Sequence, residues 1–174
     1  MKLIVLRHAE TFYNEKGWMQ GRADIPLSEV GIEHASQIKE TIQNMDIDFT
    51  ICSPLKRTKM TAALITDSPI LTDYRLIERD LGDYEGQPTT LYDIKKYANI
   101  KTNISDKGVE PALAVYQRLQ TFFNDIKAYH DKTILLVTHG GIIKFIPYCF
   151  KEIPEDGILV SPKIGNCEYI EINI

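Results

Sequence analysis

The sequence predicts a single α/β domain, a three-layer sandwich with a mostly parallel sheet and helices on both faces. Three observations carry that expectation. Two aliphatic runs, KLIVL near the start and TILLVT at 133–138, lack polar alternation, as strands buried on both faces do. Segments with helical apolar spacing lie between the strand-like runs, so strands and helices alternate along the chain. The length, 174 residues, suits one ordinary domain, and no repeat, low-complexity tract or Pro/Gly/Ser-rich linker divides residues 1–174.

Taken in order, residues 1–7 form the first strand. Ser28 is placed to cap a helix running to about Met45, with Ile32, Ala35, Ile38 and Ile42 at helical spacing. Asp48–Cys52 reads as a second strand, Leu55–Thr66 as a second helix, and Ile70–Asp73 as a short third strand. Residues 87–110 break the alternation. They are lysine-rich, with a short helix expected near Leu91–Tyr97 and then a loop, and they read either as a solvated surface excursion or as a small lid over a site. Ala112–Tyr129 is a long helix whose apolar face includes Leu113, Tyr116, Leu119 and Phe123. The run 133–139 is another buried strand, Gly140–Gly141 opens a helix to about Phe150, and the last strand is Glu168–Asn173.

Composition narrows the function. The chain is 44% hydrophobic and 25% charged, enough apolar content to bury a sizeable core. Its net charge of -4, from 24 acidic and 20 basic residues, argues against general binding to nucleic acid or anionic membrane, which requires a positive surface field. The three cysteines, Cys52, Cys149 and Cys167, are odd in number and widely spaced, with no metal-ligand spacing. They read as small buried hydrophobes in a reducing compartment. The four aliphatics after Met-Lys are too few for a secretory signal, and no run reaches transmembrane length. A cytoplasmic location is expected, with the oligomeric state left open between monomer and homodimer.

The chemistry concentrates where strands end. LRHAETFYN puts Arg7 and His8 at the mouth of the first strand, where ligands of open α/β sheets sit. SPLKRTKMTA ends a strand at Ser53–Pro54 and carries Arg57 in the first turn of a helix, whose N-terminus attracts anions. LLVTHGG delivers His139 at another strand end, then two glycines that let backbone approach a ligand. LIERDLGDYEG sets Glu78 and Glu85 in a glycine-punctuated loop. Parallel strands present their carboxyl ends together, so these residues can converge. Two guanidiniums can hold a phosphoryl group and balance its charge. A neutral imidazole, its pKa lowered by those cations, can attack phosphorus. A second histidine can donate to the developing oxygens, and a glutamate beside a phosphate dianion can keep the proton that a leaving alkoxide needs. Nothing in this set calls for a metal ion or another cofactor.

In this order, RHAET, Asn14, GRADIPLSEVG, SPLKRTKMTA, LIERDLGDYEG and VTHGG resemble the motifs of the histidine phosphatase superfamily, which includes the cofactor-dependent phosphoglycerate mutases. The resemblance spans residues 1 to about 145, with weaker echoes at GVEP, Arg118 and Asn166. It implies a single α/β domain and a metal-free phosphoryl transfer. On it, His8 matches the nucleophile that becomes phosphohistidine, and Glu78 matches the proton donor. Arg7, Arg57 and His139 match the phosphate pocket, with Asn14 as a side-chain donor and Gly140 beside the ligand. Arg22 matches a residue that reaches the substrate, and Arg79 a substrate-contacting arginine of the mutases. Glu85 is expected to order its loop, and Ala9 replaces the family's common glycine. His34 and His130 match nothing and are expected at the surface.

Within the superfamily, mutases carry a GW-type dipeptide where this chain has Gly21–Arg22, a tyrosine where it has Leu81, and a long insertion that is here cut to 87–110. A shorter, more open site favours water as the acceptor, since a mutase must exclude it. The expectation is a phosphatase acting on a small phosphorylated metabolite, with mutase chemistry as the alternative. A non-catalytic phosphate binder fits less well, because both nucleophile and acid are present. The lysines 95, 96, 101 and 107 suggest either a substrate with further negative charge or simply a solvated face.

Overall fold

Strand β1 (Lys2–Arg7) carries only aliphatic side chains at positions 3–6, and hiding them takes a core on each side of the sheet. In the computed structural model, which describes residues 1–160 and 163–174, Leu3 and Val5 face one core while Ile4 and Leu6 face the other. Burying each such side chain is worth roughly 1.5–3 kcal/mol. Helices α1 (Phe12–Lys16) and α2 (Glu29–Gln43) follow, then β2 (Phe49–Cys52), α3 (Lys56–Ile65) and β3 (Ile70–Thr72). Beyond them come α4 (Ile94–Tyr97), α5 (Ala112–Ile126), β4 (Thr133–Thr138), α6 (Gly140–Ile143) and β5 (Tyr169–Asn173). The five strands are ordered β3-β2-β4-β1-β5, all parallel except β5, which runs antiparallel to β1. Helices α2 and α3 cover one face through Ala35, Ile42, Ala62 and Ile65. On the other, α5 lays down Val115, Leu119, Phe122 and Phe123. This is the expected three-layer α/β sandwich.

Several boundaries and faces differ from the sequence reading. The Ser28 cap forms, its Oγ accepting from the Gly31 N–H at 3.1 Å, but α2 ends at Gln43 and Ile32 stays 39% exposed. In α5 the buried stripe runs through Val115 and Phe122, leaving Leu113 and Tyr116 half-buried. The helix expected from Gly140 to about Phe150 stops after α6 and resumes as a 3-10 turn at Ile146–Cys149. Pro147 is the cause: it has no N–H to donate, and its ring crowds the preceding turn. Within 87–110, α4 is flanked by 3-10 turns at Thr89–Leu91 and Asp106–Gly108. Helix α1 was not foreseen. It is held by a reciprocal cap, Asn14 N–H to Thr11 Oγ and Thr11 N–H to Asn14 Oδ1.

Cys52 and Cys167 are buried and Cys149 half-buried, none of them disulfide-bonded, and His34 and His130 are exposed. No helix among the described residues is long and apolar enough to cross a membrane.

Candidate active site

Strand register sets the site. Arg7 pairs with Thr138 and Cys52 with Val137, so the residues that follow these strands emerge side by side. The His8 N–H donates to Thr138 O at 2.9 Å and the Ser53 N–H to Val137 O at 3.0 Å. The His8 and His139 rings consequently lie 5.3 Å apart, tilted by 59°. Arg57 enters from the first turn of α3, just beyond Ser53.

Hydrogen bonds fix the tautomers. His8 Nδ1 lies 2.7 Å from Ala9 O, which can only accept, so Nδ1 carries the proton and Nε2 keeps its lone pair. Nε2 has no protein partner among the described residues and is not among their sealed, unpartnered atoms, which leaves it an approach from solvent. Burial, with Arg57 and Arg7 nearby, drives the His8 pKa well below its ordinary value, so the imidazole is neutral near pH 7. His139 is lowered well below its ordinary value too, by burial first and then by Arg57 and His8. Its Nδ1 accepts from Arg57 Nε at 3.2 Å, which assigns the proton to Nε2, 2.7 Å from Ser53 Oγ.

The arginines differ in what they keep free. Arg57 is fully buried and donates from Nη1 to Ala23 O and from Nη2 to Gly21 O, both at 2.8 Å, besides its bond to His139. Three of its five N–H groups are used and two remain. Burial lowers its pKa to about 10, so it is still a cation at neutral pH. Arg7 gives Nη1 to Ile164 O at 2.8 Å, while its buried Nε has no partner among the described residues.

Of these four residues Arg7 lines a cavity of about 420 Å³, whose wall also includes Asn14, Glu78, Arg79 and Gly140. Glu78 is aimed by two backbone donors, Arg79 N–H to Oε1 at 2.8 Å and Gly141 N–H to Oε2 at 3.0 Å. That approach requires glycine: a Cβ at Gly141 would fall 2.4 Å from Glu78 Oε1, and one at Gly140 would fall 3.2 Å from Arg7 Nε. Asn14 spends Oδ1 on its cap and on Asn166 Nδ2 at 3.3 Å, which turns its amide nitrogen to the cavity. Asn166 also donates to His8 O at 2.9 Å, tying the loop after β1 to the segment before β5.

Other sequence candidates sit elsewhere. His8, Arg57 and His139 are all buried and none of them is on the cavity wall. With both ring nitrogens engaged, His139 can reach a ligand only by exchanging one of those bonds. Arg22 is also off the wall. It pairs with Glu110 at 3.2 Å and Asp80 at 3.6 Å and donates to Glu78 O, bracing the loop that carries Glu78. Glu85 takes the Arg22 N–H at 2.7 Å and the Leu81 N–H at 3.3 Å, ordering that loop as expected. Arg79 reaches the wall but is braced by Glu110 O and Tyr97 O, both at 2.6 Å. Lysines 95, 96, 101 and 107 are absent from the wall; Lys96 pairs with Asp106 at 2.9 Å and Lys107 lies over the Tyr84 ring. Wall residues that sequence reasoning missed are Lys144, Lys163, Trp18 and Tyr92. Lys144 had a sequence cue, five residues after His139, and Tyr92 lies in the 87–110 segment that reads as a possible lid, which also puts Thr89, Ile94 and Ala98 on the wall. Among the described residues no three His, Cys, Asp or Glu side chains are grouped to hold a metal ion.

A neutral imidazole and fixed guanidiniums at the carboxyl ends of adjacent parallel strands suit phosphoryl transfer. The chain belongs to the histidine phosphatase superfamily (branch 1), whose family profile matches residues 3–174. Among its relatives, phosphatase PhoE of Bacillus subtilis is 34% identical over 150 residues, covering 81% of this chain and 72% of the relative. Phosphoserine phosphatase 1 of Hydrogenobacter thermophilus is 30% identical over 149 residues, 80% of this chain and 71% of the relative. A mycobacterial glucosyl-3-phosphoglycerate phosphatase solved with VO3 superposes with a TM-score of 0.86 at 25% identity, covering 98% of this chain and 91% of that one. The protein is thus a phosphomonoester hydrolase of this superfamily.

Proposed function

We propose that the protein hydrolyses a small phosphorylated metabolite through a phosphohistidine at His8, without a metal ion. The observation that supports this most is the locked tautomer of His8: Nδ1 is spent on Ala9 O, and the Nε2 lone pair is left beside two arginines. In the first step Nε2 forms a bond to phosphorus as the ester P–O bond breaks, and the leaving oxygen takes the Glu78 proton to depart as an alcohol. In the second, Glu78 accepts a proton from water, the hydroxyl oxygen bonds to phosphorus, and the N–P bond breaks. Phosphate leaves and His8 is neutral again. Arg7 and Arg57 balance the charge that spreads over the equatorial oxygens, the part a metal plays in many phosphoryl transfers. A cavity of about 420 Å³ suits a small-molecule ester.

Phosphate release from p-nitrophenyl phosphate in excess EDTA is the test. Activity should survive chelation and be inhibited competitively by vanadate, whose trigonal-bipyramidal adduct resembles the transferring phosphoryl group. Activity abolished by EDTA and restored by a divalent ion would overturn the metal-free reading. Interconversion of 2- and 3-phosphoglycerate faster than phosphate release would establish a mutase instead.

A further inference from the structure

The cavity is more positive than phosphate binding alone requires. Its wall carries Arg7, Arg79, Lys144 and Lys163 against one carboxylate, Glu78, in a chain whose net charge is -4. Glu78 is already held by two backbone N–H groups. Lys144, half-buried one residue beyond α6, makes no hydrogen bond or ion pair with the described residues, and neither does Lys163 at the rim. The groups whose charge Lys144 feels are Glu78, Arg7 and Lys163, so it faces the same space as the proton donor, and burial pushes its ammonium down. Holding an unpaired cation half out of water is unfavourable unless an anion arrives to meet it. The bound phosphoryl group engages Arg7 and Arg57 on the His8 side, so it leaves the two lysines unmatched. The rest of the wall mixes apolar Trp18, Met19, Ile94, Phe145 and Leu159 with polar Asn14, Gln20, Thr89 and Tyr92.

We infer that Lys144, with Lys163 at the rim, forms a second anion subsite that selects phosphomonoesters carrying another acidic group, carboxylate or phosphate, on the leaving-alcohol side. This deepens the phosphatase reading and rests on it for the first half of the cavity. Arg79, braced by two carbonyls and without a carboxylate in ion-pair distance, adds fixed positive charge alongside.

Matched ester pairs test it. 3-Phosphoglycerate differs from glycerol 3-phosphate by a carboxylate in place of a hydroxymethyl group, and fructose 1,6-bisphosphate differs from fructose 6-phosphate by an added phosphate. The wild type should prefer the acidic member of at least one pair by about tenfold or more in kcat/KM, mostly through KM, the ordinary worth of a hydrogen bond to a charged group. Which pair responds identifies the second anion. Lys144→Gln should collapse the preference to within about threefold, while Lys144→Arg, which keeps the charge and reports on folding, should retain most of it. No preference in either pair, or a preference that Lys144→Gln and Lys163→Gln both leave intact, overturns the subsite. Should the wild type release no phosphate even from p-nitrophenyl phosphate, it is the phosphatase reading that fails. Calorimetric titration of His8→Ala with the same pairs then decides the subsite separately, and equal affinities within each pair would sink it.

Discussion

On the proposed route Glu78 and His8 do different work on the same ester, and substitution should separate them. Of the two site histidines, His8 is the one with a ring nitrogen whose lone pair is uncommitted among the described residues, since His139 Nδ1 is bound to Arg57. His8→Ala should therefore abolish covalent labelling by a ³²P-labelled substrate, and persistent label would mean another nucleophile. Glu78→Gln keeps one of the two oxygens that accept from the Arg79 and Gly141 N–H groups, and it has no proton to give a leaving alkoxide. Alkyl phosphates should slow by ~10²–10⁴-fold, the usual contribution of a general acid. An aryl phosphate with an acidic phenol leaves almost unaided and should slow far less. Glu85, bound to the Arg22 and Leu81 N–H groups, should show no such split when changed to Gln. If Glu85→Gln shows the leaving-group dependence and Glu78→Gln does not, the acid has been put on the wrong glutamate.

The short segment Gly140–Gly141 decides whether strand β4 and the Glu78 loop can meet. Gly141→Ala would drive a methyl to 2.4 Å from Glu78 Oε1, so the carboxyl must shift by the better part of an ångström. Displacement on that scale should lower kcat on alkyl esters by ~10²-fold, with aryl esters spared. Equal loss on both would mean that the glycine serves folding and not the acid. At this scale much was readable beforehand. Buried strands announce themselves by unbroken aliphatics, and a Ser28 cap before helical spacing marks α2. What could not be read depended on tertiary contact. Helix α1 has five residues and no apolar stripe, and it exists because Thr11 and Asn14 cap each other. The break at Pro147 was legible in principle, but the surrounding apolar run hid it. Arg22 stands beside motif residues and so looks like a ligand. Only the folded loop shows it spent on Asp80, Glu110 and the Glu78 carbonyl. Lys144 is the converse, a residue without a motif that the fold turns toward the cavity.

For the whole molecule, the site has a consequence for stability. The fold seals two imidazoles, His8 at 2% exposure and His139 at none, against arginines they cannot share a charge with. In the unfolded chain each takes a proton near pH 6.5, as free histidine does. In the folded chain both pKa values lie well below that, so between the two values the unfolded state binds more protons. Stability then rises with pH and is lost on acidification, by about 1.4 kcal/mol per pH unit for each histidine. The carboxylates with lowered pKa values, Asp48, Asp73 and Asp106, act only near and below their ordinary range, so they do not mask this window. Urea unfolding should lose up to ~4 kcal/mol between pH 7.5 and 5.0, a large share of a typical domain's stability. The loss is largest if both folded pKa values stay under the lower limit. His139→Gln removes one of the two titrating rings and should roughly halve the slope whatever it does to the absolute stability. A flat profile from pH 7.5 to 5.5 would show that the two rings titrate in the fold as they do in the unfolded chain, and stability that rises on acidification would show that the pair is protonated in the fold and take away the neutral His8 on which the phosphohistidine route depends.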